Sequence, residues 1–270
     1  MRYPDWEKLS EDTMAASIFE SPLLSKRYPT GETGRLFTDA AEVRALLLVA
    51  GTLAKVQGKL GHIPEDSAFF IHRAAMEVQI DPAGLAVDIA KSGEIVTALR
   101  DAFARALEAP EHSGYILNGM ASQNVIDTAI ALRLRQFLSI SEKALTNHML
   151  PEADVLLAEL MEVRKNVVSI AFDAKGPEQN ATRSALAKAL RLGTVEIADR
   201  SGVLSCANWA VRVCGLLAKQ KGAEFAQLAQ LTALASALYD ALETDHAKMV
   251  SPCLAQICLC AAAALEISKP

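Results

Sequence analysis

The chain is predicted to be all-α, a smaller N-terminal helical part followed by a bundle of long helices. Three observations predict this. Apolar residues recur at steps of three and four over most of the chain after residue 37, the spacing that places them on one helix face. No run of strand-like alternation competes with that pattern. Breaks at Gly61-His62-Ile63-Pro64, Ala109-Pro110 and Gly176-Pro177 fall between periodic stretches, where helices stop and restart.

The elements follow in order. Asp39 to Lys59 opens on an acidic N-cap candidate, Asp39, with Glu42 three positions on, the capping-box spacing. Its Val43, Leu46, Leu47, Ala50, Leu53 and Ala54 form one stripe. A shorter helix is expected over Glu65 to Met76. Asp81-Pro82 is an N-cap followed by proline at the first helical position, opening a helix to Lys91; another runs from Glu94 to Glu108. The stretch from Ser122 to His148 carries two apolar faces. Ile126, Ile130, Leu134, Phe137 and Leu145 make one, and Val125, Ala129 and Leu132 the other. A helix apolar on two faces is buried on two sides. Four-three staggers then recur from Leu156 to Ile170, Val203 to Leu217 and Leu228 to Leu242, with a helix from Glu178 to Leu192 between them and an Ala- and Cys-rich helix from Pro252. The expected division is 1–110 and 111–270, the second part being the bundle.

Composition narrows the function classes. The 270 residues carry a net charge of −5, with 5% aromatics. Without a basic stripe or stacking aromatics the chain is not expected to bind nucleic acid. The longest apolar span, Cys253 to Ile267, is broken by Gln256, and falls short of the ~18 residues of a membrane helix. The first residues have no apolar signal core, so a cytoplasmic location is expected. The five cysteines, Cys206, Cys214, Cys253, Cys258 and Cys260, form neither a CxxC pair nor an even secretory set. They read as small core hydrophobes rather than as metal ligands.

One segment carries a chemical signature. Gly114 to Ala121 is a glycine-containing loop that runs straight into the buried helix, with Ser122, Gln123 and Asn124 at its start. Free backbone N–H groups and the positive end of the helix dipole favour a carboxylate or phosphate there. The plainer alternative is an ordinary N-cap, Ser122 capping and Asp127 supporting the first turn.

Tyr115 to Ala129 (YILNGMASQNVIDTA) resembles the first signature region of the fumarase/aspartase superfamily. Within it the likeness is greatest to the 3-carboxy-cis,cis-muconate cycloisomerases, then to the adenylosuccinate lyases. Phe19 to Leu24, Phe37 to Val43, the Gly61-His62-Ile63-Pro64 turn and the Asp173 to Pro177 segment resemble that family's start, its Gly-x-Ile-Pro turn and its Gly-Asp-x-Gly-Pro segment. The chain departs from the motif at Leu117, Ala121 and Asn124, where the family has His, Thr and Asp. The His-bearing second region has no counterpart between Leu150 and Lys175. The loop carrying the catalytic base is not here either; the nearest candidate is Thr244 to Pro252, with Lys248 and Ser251 as its polar residues but not in the family order.

The resemblance implies cofactor-free and metal-free lactonisation or elimination at a carbon α to a carboxylate, as in aromatic-compound degradation. It implies a small polycarboxylate substrate and a homo-oligomer, dimer or tetramer. The substituted motif implies that activity is weak or lost. The catalytic candidates are then His112, just before the signature loop, and His246, beside the missing base loop, since a histidine titrates near neutrality. The substrate-binding candidates are Ser122, Gln123 and Asn124. His112 in a surface turn and His246 at a helix end are equally ordinary placements. Two alternatives stand beside the cycloisomerase: a non-catalytic helical homo-oligomer on the lyase scaffold, and an adenylosuccinate-lyase-like enzyme.

Overall fold

The computed structural model describes residues 17–148, 152–173, 175–194, 201–219, 224–244 and 246–269. Among these, a 3-10 turn at Gly31–Leu36 precedes eleven helices: α1 (Asp39–Lys59), α2 (Glu65–Glu77), α3 (Pro82–Ser92), α4 (Ile95–Leu107), α5 (Pro110–Ser113), α6 (Ser122–Thr146), α7 (Ala153–Val167), α8 (Pro177–Leu190), α9 (Ser201–Leu217), α10 (Phe225–Thr244) and α11 (His246–Ile267). Two short strands, β1 (Ser169–Ile170) and β2 (Gly193–Thr194), pair in parallel, with Ser169 opposite Gly193. They are too short to show as alternation in a sequence. No helix among the described residues is long and apolar enough to cross a membrane.

Local chemistry sets the helix ends. Thr38, not Asp39, is the N-cap of α1, because its hydroxyl accepts the Ala41 N–H at 3.2 Å. Asp39 falls one position inside, where its charge still meets the positive end of the dipole. Asp81 caps α3 with Pro82 behind it, its carboxylate accepting the Ala83 N–H at 3.1 Å. The last helix starts at His246 rather than at Pro252. Pro252 is the seventh residue of α11, past the first turn where proline is best tolerated.

The core forms two hydrophobic clusters that share α6. Ile130, Leu134, Phe137, Leu138 and Leu145 pack with α7, α9, α10 and α11. Val125, Ala129, Ala131 and Leu132 pack with α1 to α4 and α8. The two apolar faces read in the sequence are these two packing surfaces. Trp209 donates its indole N–H to the Leu156 carbonyl at 3.0 Å and lies edge-on to Phe137, tying α9 to α7 and α6. All five cysteines are free and buried. Burial pushes the Cys260 thiol up to about 12 and those of Cys214 and Cys258 well above their ordinary value. These thiols are core-packing groups, not ionised nucleophiles.

The tightest packing joins α1 to α2. A Cβ added at Gly51 would lie 2.5 Å from the Ala75 Cβ, and one at Gly58 would strike the Ala68 Cβ. Two glycines seven apart thus face two alanines seven apart on antiparallel helices, and the spacing fixes their register. Gly58→Ala is expected to lower stability by about 1–3 kcal/mol through overpacking, although alanine is the better helix former by ~1 kcal/mol. Thermal unfolding decides the sign, and a raised Tm would mean that the two helices are free to separate.

Candidate active site

The signature loop is held in an unusual backbone shape. Leu117 and Gly119 both have left-handed φ, 58° and 71°. For glycine this is ordinary, but a leucine there is strained by roughly 1–2 kcal/mol. Ile116 and Met120 compensate by inserting into the core, at 4% and 8% exposure. From α1, Gln57 donates through Nε2 to the Asn118 carbonyl at 2.8 Å. That carbonyl can only accept, which fixes the amide orientation and leaves the buried Gln57 Oε1 without a hydrogen-bond partner. A polar residue on the apolar stripe of α1, four positions after Leu53, was the sequence signal for this anchor.

The loop delivers the start of α6. Ala121 is the N-cap and supplies no side-chain cap. Ser122 is therefore the first helical residue, not the cap, and its neighbours turn aside. Gln123 donates through Nε2 to Asp127 Oδ1 at 2.9 Å, along its own helix. Asn124, 8% exposed, donates through Nδ2 to Asp173 Oδ2 at 3.2 Å. The leading backbone N–H groups of α6 are thus not taken up by an N-cap side chain, the arrangement that binds anions. The protein's own Asp173 carboxylate is held by the Asn124 side chain in that first turn.

Thr128, fully buried one turn further, pins the segment that carries Asp173. Its hydroxyl accepts the Ala171 N–H and donates to the Ala171 carbonyl, both at 3.2 Å. The Gly-His-Ile-Pro turn docks nearby on α8. Thr182 Oγ1 donates to the Glu178 carbonyl at 3.1 Å and so accepts from His62 Nδ1–H at 3.0 Å, which leaves the His62 Nε2 lone pair unused by that contact. Asp173 and Thr182 have no one-dimensional signal as partners, because each meets its contact across a long sequence separation.

His112 faces α2. Its Nδ1 lies 3.0 Å from the Ser67 hydroxyl, its ring stacks on Phe70 at 4.7 Å between centroids, and its Nε2 is 3.8 Å from Glu111 Oε1. Among the described residues, no hydrogen bond or ring contact joins His112 to Ser122, Gln123 or Asn124. The backbone of His246 opens α11, but its side chain, like that of Lys248 and of Ser251, lies outside the described residues. Only one residue separates Thr244, the last of α10, from His246. Helix therefore occupies the stretch matched to the base-bearing loop.

No family model matches the chain. It is similar to the N-acetyl-S-(2-succino)cysteine lyase of Enterococcus italicus, 24% identical over 157 residues, 58% of this chain and 32% of that protein. It is also similar to the adenylosuccinate lyase of Pyrococcus abyssi, 32% identical over 119 residues, 44% of this chain and 26% of that protein. The matches thus span a third or less of these curated relatives' length. Among solved structures, the 3-carboxy-cis,cis-muconate lactonizing enzyme of Pseudomonas putida superposes with a TM-score of 0.79 at 19% identity, covering 91% of this chain and 75% of that one. The chain has the fumarase/aspartase-like fold. Its sequence relatives are lyases, and the loop and α6 described above lie within that fold.

Restoring the superfamily's Asp at position 124 tests the Asn124–Asp173 contact. Asn124→Asp replaces a donor with a second carboxylate and is expected to cost about 1 kcal/mol at pH 7. Crowding raises the folded-state pKa of the pair, so the penalty grows as pH rises through the carboxylate range and vanishes when one partner is protonated. Unfolding curves at pH 4 and pH 7 check this, and equal losses at both would sink the contact. Thr128→Val keeps the shape but orphans the Ala171 N–H and carbonyl. It is expected to cost about 1–3 kcal/mol, read as a lower denaturation midpoint.

Proposed function

We propose that this chain is a carboxylate-binding relative of the 3-carboxy-cis,cis-muconate cycloisomerases whose lactonising activity is weak or lost. The carrying observation is the one-residue junction between α10 and α11, where the resemblance implies a loop with the catalytic base. A proton cannot leave a carbon α to a carboxylate at useful speed without a positioned base, and that group is worth roughly 10²–10⁴ in rate. What the fold retains is the binding half of the reaction. The N–H groups that open α6, free of an N-cap side chain, suit a substrate carboxylate or the negative charge that develops on it.

Asp173 refines this reading. Its carboxylate, held by Asn124, competes with a ligand carboxylate for the same positive helix end. The protein is read as a cytoplasmic homo-oligomer, dimer or tetramer, as the resemblance implies. The muconate reading rests on the motif resemblance and on sequence matches over 40% and 41% of this chain; the adenylosuccinate-lyase-like alternative, matched over 44%, stands beside it.

The test is an ultraviolet assay of the purified protein with 3-carboxy-cis,cis-muconate, since lactone formation removes the diene conjugation. The expected result is no turnover above a Ser122→Ala control, from a protein that light scattering shows to be a folded oligomer. Turnover abolished by Ser122→Ala would overturn the loss of activity and send the search for a base to His112 and His246.

A further inference from the structure

Helix α7 carries the same stagger twice. Leu156, Leu160, Val163 and Val167 step by four, three and four and are all buried. Two positions earlier, on the opposite face, Asp154, Ala158, Met161 and Lys165 take the same steps and are all exposed. The inner seam packs α7 into the bundle. The outer seam has the spacing that packs one helix along another. Met161 is 54% exposed near its centre, and Val155 is 52% exposed at its edge. The other exposed apolar pair on a helix, Phe69 and Phe70 of α2, is already engaged: the two rings meet edge-on and Phe70 stacks on His112.

The charges around the outer seam are sorted. On its flanks, Arg164 pairs with Glu142 of α6 at 2.7 Å and Glu159 with Arg212 of α9 at 2.9 Å, so these ions are satisfied within the chain. On the seam itself, Lys165 meets Glu162 of its own helix at 2.6 Å, with both side chains largely exposed. An exposed pair of this kind is weak and readily exchanged for another. The seam therefore ends in a carboxylate, Asp154, on one side and an ammonium, Lys165, on the other, with alanine and methionine between. Beside Ala158 the surface falls into an open groove of about 470 Å³ between α7 and α9, lined by Val163 and Trp209 among others.

Such a face complements a copy of itself turned end for end. Parallel pairing would set each charge against its own like, which is repulsive. Antiparallel pairing about a twofold axis has one register that answers both demands. It places Asp154 against Lys165 of the partner subunit, and in the same register Met161 over Ala158 of the partner subunit. The small alanine leaves room for the methionine, and symmetry repeats each contact. We propose that a second copy of this chain docks on α7 in this antiparallel register. The proposal rests on the homo-oligomer reading given above and names its surface. One helix face, ~22 Å long and ~10 Å wide, is smaller than the ~800 Å² per partner of a standard interface. Association through it is reversible, with a Kd on the order of micromolar.

Sedimentation velocity of the full chain, over concentrations that bracket this Kd, tests it. The expected result is a reversible association step in the unaltered protein that Met161→Glu weakens at least about tenfold. Asp154→Lys and Lys165→Asp are each expected to weaken the same step, and the double variant to restore it. Loss of helix stability alone would not give that rescue, and circular dichroism checks that each variant folds. Both charge reversals lie at exposed positions, so they carry the test whether or not Met161→Glu folds. An oligomer with the same mass and affinity in folded Met161→Glu overturns this surface and leaves the oligomer reading standing. A double variant no better than either single one overturns the antiparallel register. A protein that is monomeric at every concentration overturns the oligomer reading and this surface together.

Discussion

Helix α6 has to satisfy two cores at once, and the rest of the molecule is arranged around that demand. Residues separated by one position on α6 face opposite clusters: Ala129 packs with the α1 side and Ile130 with the α9 side. Each buried Leu, Ile or Phe contributes about 1.5–3 kcal/mol relative to exposure, so neither face can be released without losing a cluster. A helix fixed on both sides cannot shift or rotate, and whatever sits at its first turn inherits that rigidity. This is a sound foundation for a binding site, because the backbone donors at its start are aimed before a ligand arrives.

The loop before α6 shows how rigidity is transmitted. Leu117 accepts a strained left-handed backbone because Ile116 and Met120 are locked into the core on either side. Gln57 then holds the Asn118 carbonyl from α1. On the far side, Thr128 holds Ala171 and so presents Asp173 to Asn124. The same network that shapes the start of α6 therefore brings an internal carboxylate to Asn124 in its first turn. Asparagine at position 124 is compatible with that carboxylate, whereas aspartate would repel it. Substitution and neighbour make physical sense as a pair.

Packing between helices relies on shape as much as on apolar area. Gly51 and Gly58 let α1 approach Ala75 and Ala68 of α2 without side chains intervening. The buried cysteines of α9 and α11 do the same in the bundle with slightly larger groups. Burial raises the thiol pKa values there, and the sulfur atoms serve as space-filling atoms in tightly opposed helices.

Periodicity by itself determined the helical class, the helix order and the two-sided burial of α6, because each depends on neighbours three or four residues apart. The ends were legible where a local capping pair existed, as at Asp81-Pro82. They were misread where two capping residues stood side by side, as at Thr38-Asp39, since only backbone geometry chooses between them. The signature loop was visible as composition, and its departures at Leu117, Ala121 and Asn124 were visible as substitutions. The pairings that give those residues meaning were decided only by tertiary structure. Asn124 meets Asp173, Thr182 meets His62, and Arg133 meets Glu42 and Phe37 across long stretches of chain. Hydrogen bonds and ion pairs act over a few ångströms of space, and a sequence records only distance along the chain.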